Sequence, residues 1–308
     1  MSNVIETVDL ARRFRRQEAV DALNLQVPAG SIFALVGPNG AGKTTTIKLL
    51  MDLVRPTRGR AFVLGTDSRR LGPRDFQRIG YVSENQQLPD WMTPDQLLAY
   101  VRPFYPTWDD ALSRKLQVDL GLTAQAPLRA LSRGTRMKAA LLASLVYRPE
   151  LVVLDEPFTG LDPLVRDELI RALLELPGVQ PCTMFVSSHD IEEVERLADW
   201  IGFIDRGRLL FAERASSLLG RFRLIEVVVP DGVIRTAPPA DQRWLMQGMA
   251  GRTVRFVDMD HAAPDAMSRI VSAYPGAHIS ALPLSLREIV VALARRSALV
   301  AAPTVEAS

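Results

Sequence analysis

Cysteine is nearly absent from this chain of 308 residues, which has one, Cys182, inside an apolar run. One cysteine can form neither a disulfide within the chain nor a cysteine-based metal site, so we expect a reducing compartment. Lysine is also scarce and occurs at only four positions, although arginine keeps the formal net charge at +2. A charge so close to neutral does not indicate a polyanionic partner, and we expect no nucleic acid.

Long apolar runs are missing as well. No uninterrupted stretch approaches the roughly 20 residues that a bilayer-spanning helix needs. Residues 1–6 have neither the basic start nor the apolar centre of an export signal. We therefore expect a chain that is soluble by itself, so that any work at a membrane would need a second protein that crosses it.

A phosphate-binding loop is the clearest motif that is present. Residues 37–45 fit the pattern of Gly, four residues, Gly-Lys and Ser or Thr, after an apolar run of strand length and before a helical pattern. Loop N–H groups and the positive end of the helix dipole hold polyphosphates, whereas a plain glycine-rich turn would need neither the lysine nor the threonine. We predict that the chain binds a nucleoside triphosphate, with Lys43 on the β- and γ-phosphates and Thr44 on Mg²⁺. The predicted loop contacts are Gly37, Pro38, Asn39, Gly40, Ala41, Gly42, Lys43, Thr44 and Thr45.

Two acids follow a second apolar run, at 151–154. Asp155 and Glu156 end a strand that we expect to be buried on both faces, where ligands of open α/β sheets bind. Asp155 would hold Mg²⁺, and Glu156 would orient and deprotonate the attacking water. The motif is weak alone and becomes strong together with Lys43 and Thr44.

Two further side chains have both a functional and a structural interpretation. His189 follows another apolar strand, and a lone histidine there is more often structural; because it lies at the same sheet edge, we favour a neutral imidazole that donates to a γ-phosphate oxygen. Phe14 lies among four arginines. Its ring could stack on adenine or pack on the sheet, and composition alone leaves these alternatives open.

The remaining patterns predict an α/β fold: a P-loop ATPase core with a mainly parallel sheet, an N-terminal antiparallel β subdomain, a helical insertion and a small C-terminal α+β domain. We place the domains at 1–215 (insertion about 89–143) and 216–298, with a flexible tail at 299–308. Expected strands lie within 3–36 and at 60–65, 79–82, 151–156, 222–229 and 253–257, with a hairpin at 200–211. Expected helices lie at 93–100, 108–120, 133–146, 164–176, 263–273 and 286–296, and expected loops at 177–178 and 230–241.

With these motifs in place, residues 3 to 215 resemble the ATP-binding subunit of ABC transporters. Residues 131–135, Leu-Ser-Arg-Gly-Thr, stand where that family has its Leu-Ser-Gly-Gly-Gln signature. The resemblance implies that Ser132 and Gly134 contact the γ-phosphate bound to the opposite subunit. Arg133 and Thr135 depart from the family pattern, which bears on the strength of that contact.

The resemblance also assigns roles to residues outside the signature. Glu84 occupies the place of a family glutamine that couples Mg²⁺ to the membrane partner, although Gln86 and Gln87 lie close by. Residues 160–163 resemble the loop that faces the other subunit's phosphates, and His189 matches the family's switch histidine. Phe14 falls at the position of the adenine-stacking aromatic, which favours the functional interpretation of its ring.

The function implied is ATP hydrolysis that drives a separate transmembrane permease. The subunit would form a homodimer or heterodimer through its ATP sites, with ATP and Mg²⁺ bound, in the cytoplasm on the inner face of the cell membrane. The sequence looks most like bacterial exporter subunits for antibiotics, peptides or cell-envelope molecules. The alternative is a regulatory ABC-type ATPase with weak turnover, an ATP-dependent binding module. The C-terminal segment is open between a ligand sensor, a dimer brace, a permease contact and a stabilising appendage.

Overall fold

The computed structural model describes residues 2–122, 125–179, 182–230 and 241–301. They divide into two units, Met1–Ala212 and Glu213–Ser308, which are described separately. The strands whose bounds begin in the first unit are β1 (Asn3–Phe14), β2 (Gln17–Leu23), β3 (Gln26–Pro28), β4 (Ile32–Val36), β5 (Arg58–Val63), β6 (Thr66–Asp67), β7 (Ile79–Val82), β8 (Leu151–Asp155), β9 (Thr183–Ser188), β10 (Trp200–Asp205) and β11 (Arg208–Arg214). Its helices are α1 (Lys43–Leu50), α2 (Pro73–Phe76), α3 (Pro94–Val101), α4 (Asp110–Asp119), α5 (Arg133–Leu145), α6 (Pro163–Val179) and α7 (Ile191–Glu195).

Two sheets form in this unit. In one, β2, β1, β5 and β6 are antiparallel neighbours, and β3 also pairs with β1. The other has the order β11-β10-β4-β9-β8-β7, and its pairs from β10 to β7 are parallel. The predicted α/β class, with an N-terminal antiparallel sheet that leads into the nucleotide strand, is confirmed.

The central strands are buried along their whole length. Every residue of β4, β8 and β9 is buried; the sequences of β4 and β8 are almost continuously apolar, and β9 has polar residues only towards its two ends. Alternate side chains enter different cores: Val153 and Phe185 pack with residues of α1 and the antiparallel sheet, whereas Val152 and Met184 pack with residues of α3 to α6. Helices therefore cover a sheet whose interior strands offer no polar surface except at their ends.

Those strand ends define where a site can form. The register pairs Val36 at the end of β4 with Ser188 of β9, and Ser187 of β9 with Asp155 at the end of β8. The three carboxyl ends therefore lie side by side on one edge of the sheet, which is where open α/β sheets bind ligands. The phosphate loop, Asp155 and the residues after Ser188 all leave the sheet at this edge.

Local signals placed several helices correctly. Thr93 caps α3 by accepting a hydrogen bond from the Gln96 N–H at 3.3 Å, and the Gln96 side chain accepts from the Thr93 N–H at 2.9 Å. With Pro94 at the first helical position, this is the capping arrangement that the sequence predicted. The helices α3, α4 and α5 lie between β7 and β8, where helical patterning had been predicted.

The second unit contains a four-stranded antiparallel sheet and helices. In chain order its elements are α8 (Ala215–Arg221), β12 (Arg223–Val228), β13 (Trp244–Ala250), β14 (Thr253–Asp258), α9 (Ala266–Ala273), β15 (His278–Pro283) and α10 (Leu286–Ala301). The sheet order is β13-β14-β12-β15, and one face forms an aromatic core of Trp244, Phe256 and Tyr274.

Several sequence predictions need correction. The loop predicted at 177–178 is wrong, because α6 continues to Val179. Pro177 removes one backbone N–H donor from the last turn of α6 but does not end the helix. The flexible tail predicted from 299 starts too early, since α10 continues to Ala301. β13 and β15 were not predicted, and most of the loop predicted at 230–241 and of the tail lies outside the described residues.

Candidate nucleotide site

Glycines shape the loop at residues 37–42. Gly42 has φ +110° and Gly40 has φ +80°, values that side chains other than hydrogen rarely permit. A Cβ on Gly42 would lie 2.4 Å from the Ala19 carbonyl oxygen, and one on Gly37 would lie 2.1 Å from the Ile204 carbonyl oxygen. The loop therefore keeps its backbone path, and its N–H groups, only with glycine at these positions.

Lys43 begins α1 and is almost completely buried, with 5% of its side chain exposed. Its Nζ donates to the carbonyl oxygens of Gly37 at 2.7 Å and Pro38 at 3.2 Å, and lies 3.1 Å from Glu156 Oε1. An ammonium group has three donors and no acceptor. The Lys43 charge is thus held inside the loop and is neutralised by Glu156, the residue that follows β8.

Thr44 and Asp155 form the second contact between the loop and β8. The Thr44 hydroxyl donates to Asp155 Oδ1 at 3.0 Å, and the Ser187 hydroxyl donates to the same oxygen at 2.7 Å. Burial raises the pKa of Asp155, the two hydroxyl donors lower it, and the negative charges of Glu156 and Glu84 raise it further, so the net pKa is raised. Among the described residues, Asp155 forms no ion pair with a basic side chain, and the neighbouring charges of Glu156 and Glu84 are negative.

These oxygen atoms suit a hard divalent cation. Magnesium is bound in proteins by one or two side-chain oxygens, with substrate phosphates and water as its other ligands. Thr44 Oγ1 and Asp155 Oδ1 are such a pair, and Asp155 has the uncompensated charge. Among the described residues no group of three or more His, Cys, Asp or Glu side chains could hold a metal. The donor set thus fits a cation that arrives with a nucleotide.

Glu156 has an unusual backbone conformation and a crowded carboxylate. Its φ is +50°, in the left-handed region, and its N–H donates to Ser187 Oγ at 2.9 Å. Oε2 accepts from Thr159 Oγ1 at 3.0 Å and lies 2.7 Å from His189 Nδ1. Burial raises the pKa of Glu156, but the hydrogen bonds and charges of His189, Lys43 and Thr159 outweigh it, so the net pKa is lowered.

The contact with Glu156 also fixes the proton on His189. An ionised carboxylate only accepts hydrogen bonds, so Nδ1 of His189 carries the proton in this contact. A neutral ring then has no proton on Nε2. The hydrogen bond that the sequence predicted from a neutral imidazole to a γ-phosphate requires either a protonated ring or release of Nδ1 from Glu156.

An open cleft of about 480 Å³ is bounded by Lys43, Thr44, Glu156 and His189. Phe14 lies on its wall with 43% of its surface exposed, and the guanidinium carbon of Arg12 lies 4.5 Å from the centre of the Phe14 ring. The ring is therefore held by a cation–π contact and remains open to the cleft. The lining residues are Phe14, Gln17, Ala19, Asn39, Gly40, Gly42, Lys43, Thr44, Thr45, Glu84, Glu156, Thr159 and His189.

Three predicted loop residues, Gly37, Pro38 and Ala41, contribute backbone contacts without lining the cleft. The Pro38 carbonyl oxygen accepts one hydrogen bond from Lys43 Nζ and a second from the Ala41 N–H at 3.1 Å. The Ala41 carbonyl accepts from the Gly207 N–H at 2.8 Å, and its side chain is buried. Their observed role is to fix the shape of the loop.

Ser132 and Gly134 lie at the start of α5 and are not among the residues that line this cleft. Ser132 caps α5 by accepting from the Thr135 N–H at 3.1 Å, and the two hydroxyl oxygens are 2.8 Å apart. A Cβ on Gly134 would lie 2.7 Å from Val165, so α5 and α6 meet closely there. Within one chain, Ser132 and Gly134 therefore lie outside the cleft that the phosphate loop lines.

A second cleft, of about 690 Å³, lies between residues 83–91 and α5. Glu84 lines both clefts. Glu84 and Asp90 give this second cleft acidic groups, Arg133 and Arg136 give it basic ones, and the Trp91 side chain is 62% exposed beside it.

Sequence reasoning missed Ser187 and Thr159. Ser187 connects Asp155 to the Glu156 N–H, and Thr159 donates to the Glu156 carboxylate. The run Ser187-Ser188-His189 at a strand end was a usable signal, because hydroxyl groups at such an end lie where the acids are.

No described helix is long and apolar enough to cross a membrane.

Comparisons with known proteins agree with this geometry. A family model described as ABC transporter matches residues 20–159. The bacitracin transport ATP-binding protein BcrA of Bacillus licheniformis is 34% identical over 213 residues, covering 68% of this chain and 69% of that protein. A solved ATP-binding subunit of an ABC transporter has a TM-score of 0.63 at 25% identity, covering 70% of this chain and 91% of that one. A dimeric ATP-binding cassette in a post-hydrolysis state, bound to ADP and Pi, has a TM-score of 0.61 at 18% identity, covering 68% and 98%; at that identity the likeness concerns the fold alone.

Proposed function

The chain belongs to the ATP-binding proteins of the ABC transporter family, and from that premise we propose that it hydrolyses ATP to drive a separate membrane permease. The observation that carries the proposal is the 3.1 Å contact between Lys43 Nζ and Glu156 Oε1 at the carboxyl edge of the parallel sheet. A phosphate-binding lysine and a carboxylate of lowered pKa are thereby brought together in one open cleft.

In the proposed reaction, the loop amides and Lys43 bind the β- and γ-phosphates, while Phe14 stacks on adenine. A water oxygen attacks the γ-phosphorus, the bond from phosphorus to the ADP oxygen breaks, and that oxygen keeps the electron pair. Glu156 orients the water and accepts its proton, for which its low pKa keeps it ionised. Thr44, Asp155 and Glu84 would hold Mg²⁺, which when bound neutralises phosphate charge.

Nucleotide binding has a direct consequence for Lys43 and His189. A γ-phosphate competes with Glu156 for the Lys43 ammonium, because the loop carbonyls already occupy two of its three donors. Release of Lys43 leaves Glu156 with His189 and Thr159 as its hydrogen-bond partners. We infer that His189 then supports the carboxylate as proton acceptor, or donates to the phosphate when its ring is protonated.

A second subunit would complete each site. Ser132 and Gly134 lie at the N-terminus of a 13-residue helix, where N–H groups and the helix dipole favour anions. They do not line the cleft of their own chain, so the anion they meet would belong to another subunit. We propose a head-to-tail homodimer or heterodimer in which residues 37–45 of one subunit and 132–134 of the other enclose each ATP.

The second cleft is the proposed docking place of the permease. It combines acidic, basic and aromatic side chains, and Glu84 connects it to the nucleotide cleft. Closure of the two subunits around ATP would thus move Glu84 and change the docking surface. We further propose that the permease exports an antibiotic, peptide or cell-envelope molecule and that this subunit binds to the inner face of the cell membrane. The name of the bacitracin transport relative supports an antibiotic as the transported molecule.

ATP turnover of the purified chain tests the proposal, with Glu156→Gln as the diagnostic variant. Glutamine keeps the size of the side chain and removes its capacity to accept a proton, so turnover should fall by about 10²-fold or more while ATP binding persists. Glu150→Gln is the matched control. It removes an exposed carboxylate that pairs with Arg78 at 2.6 Å, and it should leave turnover unchanged.

Equal turnover in the wild type and Glu156→Gln would overturn the assignment of the proton acceptor. ATP binding without turnover in the wild type would instead favour the regulatory alternative, an ATP-dependent binding module. Arg133, Thr135 and the engaged Ser132 hydroxyl are the features that support this alternative.

A further inference from the structure

Glu193 is a buried carboxylate that the proposed reaction does not use. It lies in the first turn of α7 with 6% of its surface exposed. Burial raises its pKa, against a hydrogen bond from Ser188 and the charge of Arg166. A carboxylate taken out of water is costly unless it is paired and hydrogen-bonded, so its partners indicate what it holds in place.

Those partners lie on two different elements. Ser188 Oγ, at the end of β9, donates to Glu193 Oε2 at 2.9 Å. Arg166 Nε, on the first turn of α6, lies 3.1 Å from Glu193 Oε1, and its Nη1 lies 3.7 Å from Asp190 Oδ2. The guanidinium group thus reaches both Glu193 and Asp190.

His189 lies between the two residues that this network fixes. Ser188 precedes it and is tied to Glu193, while Asp190 follows it and accepts from Glu192 N–H at 3.0 Å as the cap of α7. The Ser188 carbonyl also accepts from the Gly37 N–H at 3.3 Å. The backbone on both sides of His189 is therefore held by side chains, on one side directly against the phosphate loop.

We propose that Glu193 and Arg166 are positioning residues that hold His189 Nδ1 against the Glu156 carboxylate. This inference rests on the proposed ATPase function. Arg166 lies four residues after Asp162, whose carbonyl accepts its N–H at 3.0 Å, in the loop expected to face the partner subunit's phosphates. The pair therefore connects that loop to the histidine, so that a shift of the start of α6 is transmitted to His189.

Steady-state kinetics test the proposal with Glu193→Gln, Arg166→Gln and the double variant. Misplacing a catalytic group by about 1 Å costs up to 10²-fold in rate. We expect kcat to fall at least about tenfold with little change in the KM for ATP, and the double variant to lose no more than the worse single variant. Arg166→Lys, which keeps the charge but not the two-armed group, should recover part of kcat.

Asp167→Asn is the matched control. Asp167 pairs with Arg196 at 2.6 Å and so joins the same two elements, α6 and the end of α7, without contact to Ser188 or Asp190. Its loss should leave kcat unchanged. If Asp167→Asn lowers kcat as much as Glu193→Gln does, the pair merely stabilises helix packing and the proposal is overturned.

A second readout does not depend on turnover. The chain has three histidines, so the imidazole NMR signals of His189 can be assigned with a His189→Gln variant. In the nucleotide-free protein, Glu193→Gln should change the His189 Nδ1 signal toward that of a solvent-exposed ring, and Asp167→Asn should not. An unchanged signal in Glu193→Gln refutes the positioning role. If the wild type shows no turnover while Glu193→Gln still changes the His189 signal, the ATPase proposal fails and the positioning role stands.

Discussion

Ser187→Ala is predicted to be far more destabilising than an ordinary loss of one hydroxyl. Ser187 is fully buried, accepts the Glu156 N–H at 2.9 Å and donates to Asp155 Oδ1 at 2.7 Å. Its removal leaves a buried N–H without a partner, at about 1–3 kcal/mol, and takes a donor from a buried carboxylate, at about 1.5–3 kcal/mol. Allowing for partial relaxation, we expect a loss of about 3 kcal/mol in the free energy of unfolding.

Ser31→Ala provides the comparison for this loss. The Ser31 hydroxyl is also buried, but among the described residues it makes one hydrogen bond, to the neutral Pro28 carbonyl at 2.7 Å. Its removal should cost about 1 kcal/mol. The two variants delete the same atom, so the difference between them isolates the role of the acid pair.

Urea unfolding of the nucleotide-free chain, followed by tryptophan fluorescence, measures both variants. Trp91, Trp108 and Trp200 lie in the first unit, so its transition dominates the signal. With a urea dependence of about 2–3 kcal/mol/M, Ser187→Ala should lower the midpoint by about 1 M and Ser31→Ala by a third of that. Equal midpoints for the two variants would refute the argument that Ser187 holds the acids in place.

Three other predictions follow from the site. Gly37→Ala should lower the free energy of unfolding by about 3 kcal/mol, because its Cβ would lie 2.1 Å from the Ile204 carbonyl oxygen. Gly40→Ala has open space for its Cβ but must adopt φ +80°, so in the same urea titration it should lower the free energy of unfolding by about 1–2 kcal/mol. Asp155→Asn should raise the free energy of unfolding of the nucleotide-free chain at neutral pH. In urea titrations across pH, this gain should disappear as the pH falls through the raised folded pKa toward the ordinary value of 3.8, and a gain that persists below 3.8 would contradict the prediction. Phe14→Ala should raise the KM for ATP about tenfold or more, as expected for one stacked base, without weakening binding of inorganic tripolyphosphate; equal weakening of both would mean that the ring does not contact the base.

The sign of the Asp155 prediction follows from proton binding. The folded state binds the Asp155 proton more tightly than the unfolded state does, so ionised Asp155 destabilises the chain at every pH above its folded pKa. Below the unfolded value both states are protonated and the penalty vanishes. Asparagine has no such titration, so the difference between the variants reports Asp155 alone.

Sequence patterns predicted the parts of the fold that depend on local chemistry. The phosphate loop, the buried strand before Asp155 and the cap at Thr93 each follow from residues within a few positions of one another. β13 and β15 were missed because they lack this local signal: Gly248 interrupts β13 near an irregular register, and β15 is an edge strand with exposed residues that ends at Pro283.

The contacts inside the site could not be predicted in the same way. Lys43 and Glu156 are far apart in the chain, and their 3.1 Å contact depends on the order in which β4, β9 and β8 pair. The same is true of the tautomer of His189, which only its distance to Glu156 reveals. Residue types indicated which chemistry was present, and the sheet order determined which groups meet.

Light scattering of the Glu156→Gln variant with Mg–ATP and with Mg–ADP shows whether the γ-phosphate joins two subunits. We expect a dimer with ATP and a monomer with ADP, because the γ-phosphate is what Ser132 and Gly134 of the opposite subunit would hold. Wild-type protein should return to the monomer as ATP is consumed. A Glu156→Gln variant that binds ATP and stays monomeric would refute the shared ATP site, and one that consumes ATP at the wild-type rate would refute the role of Glu156.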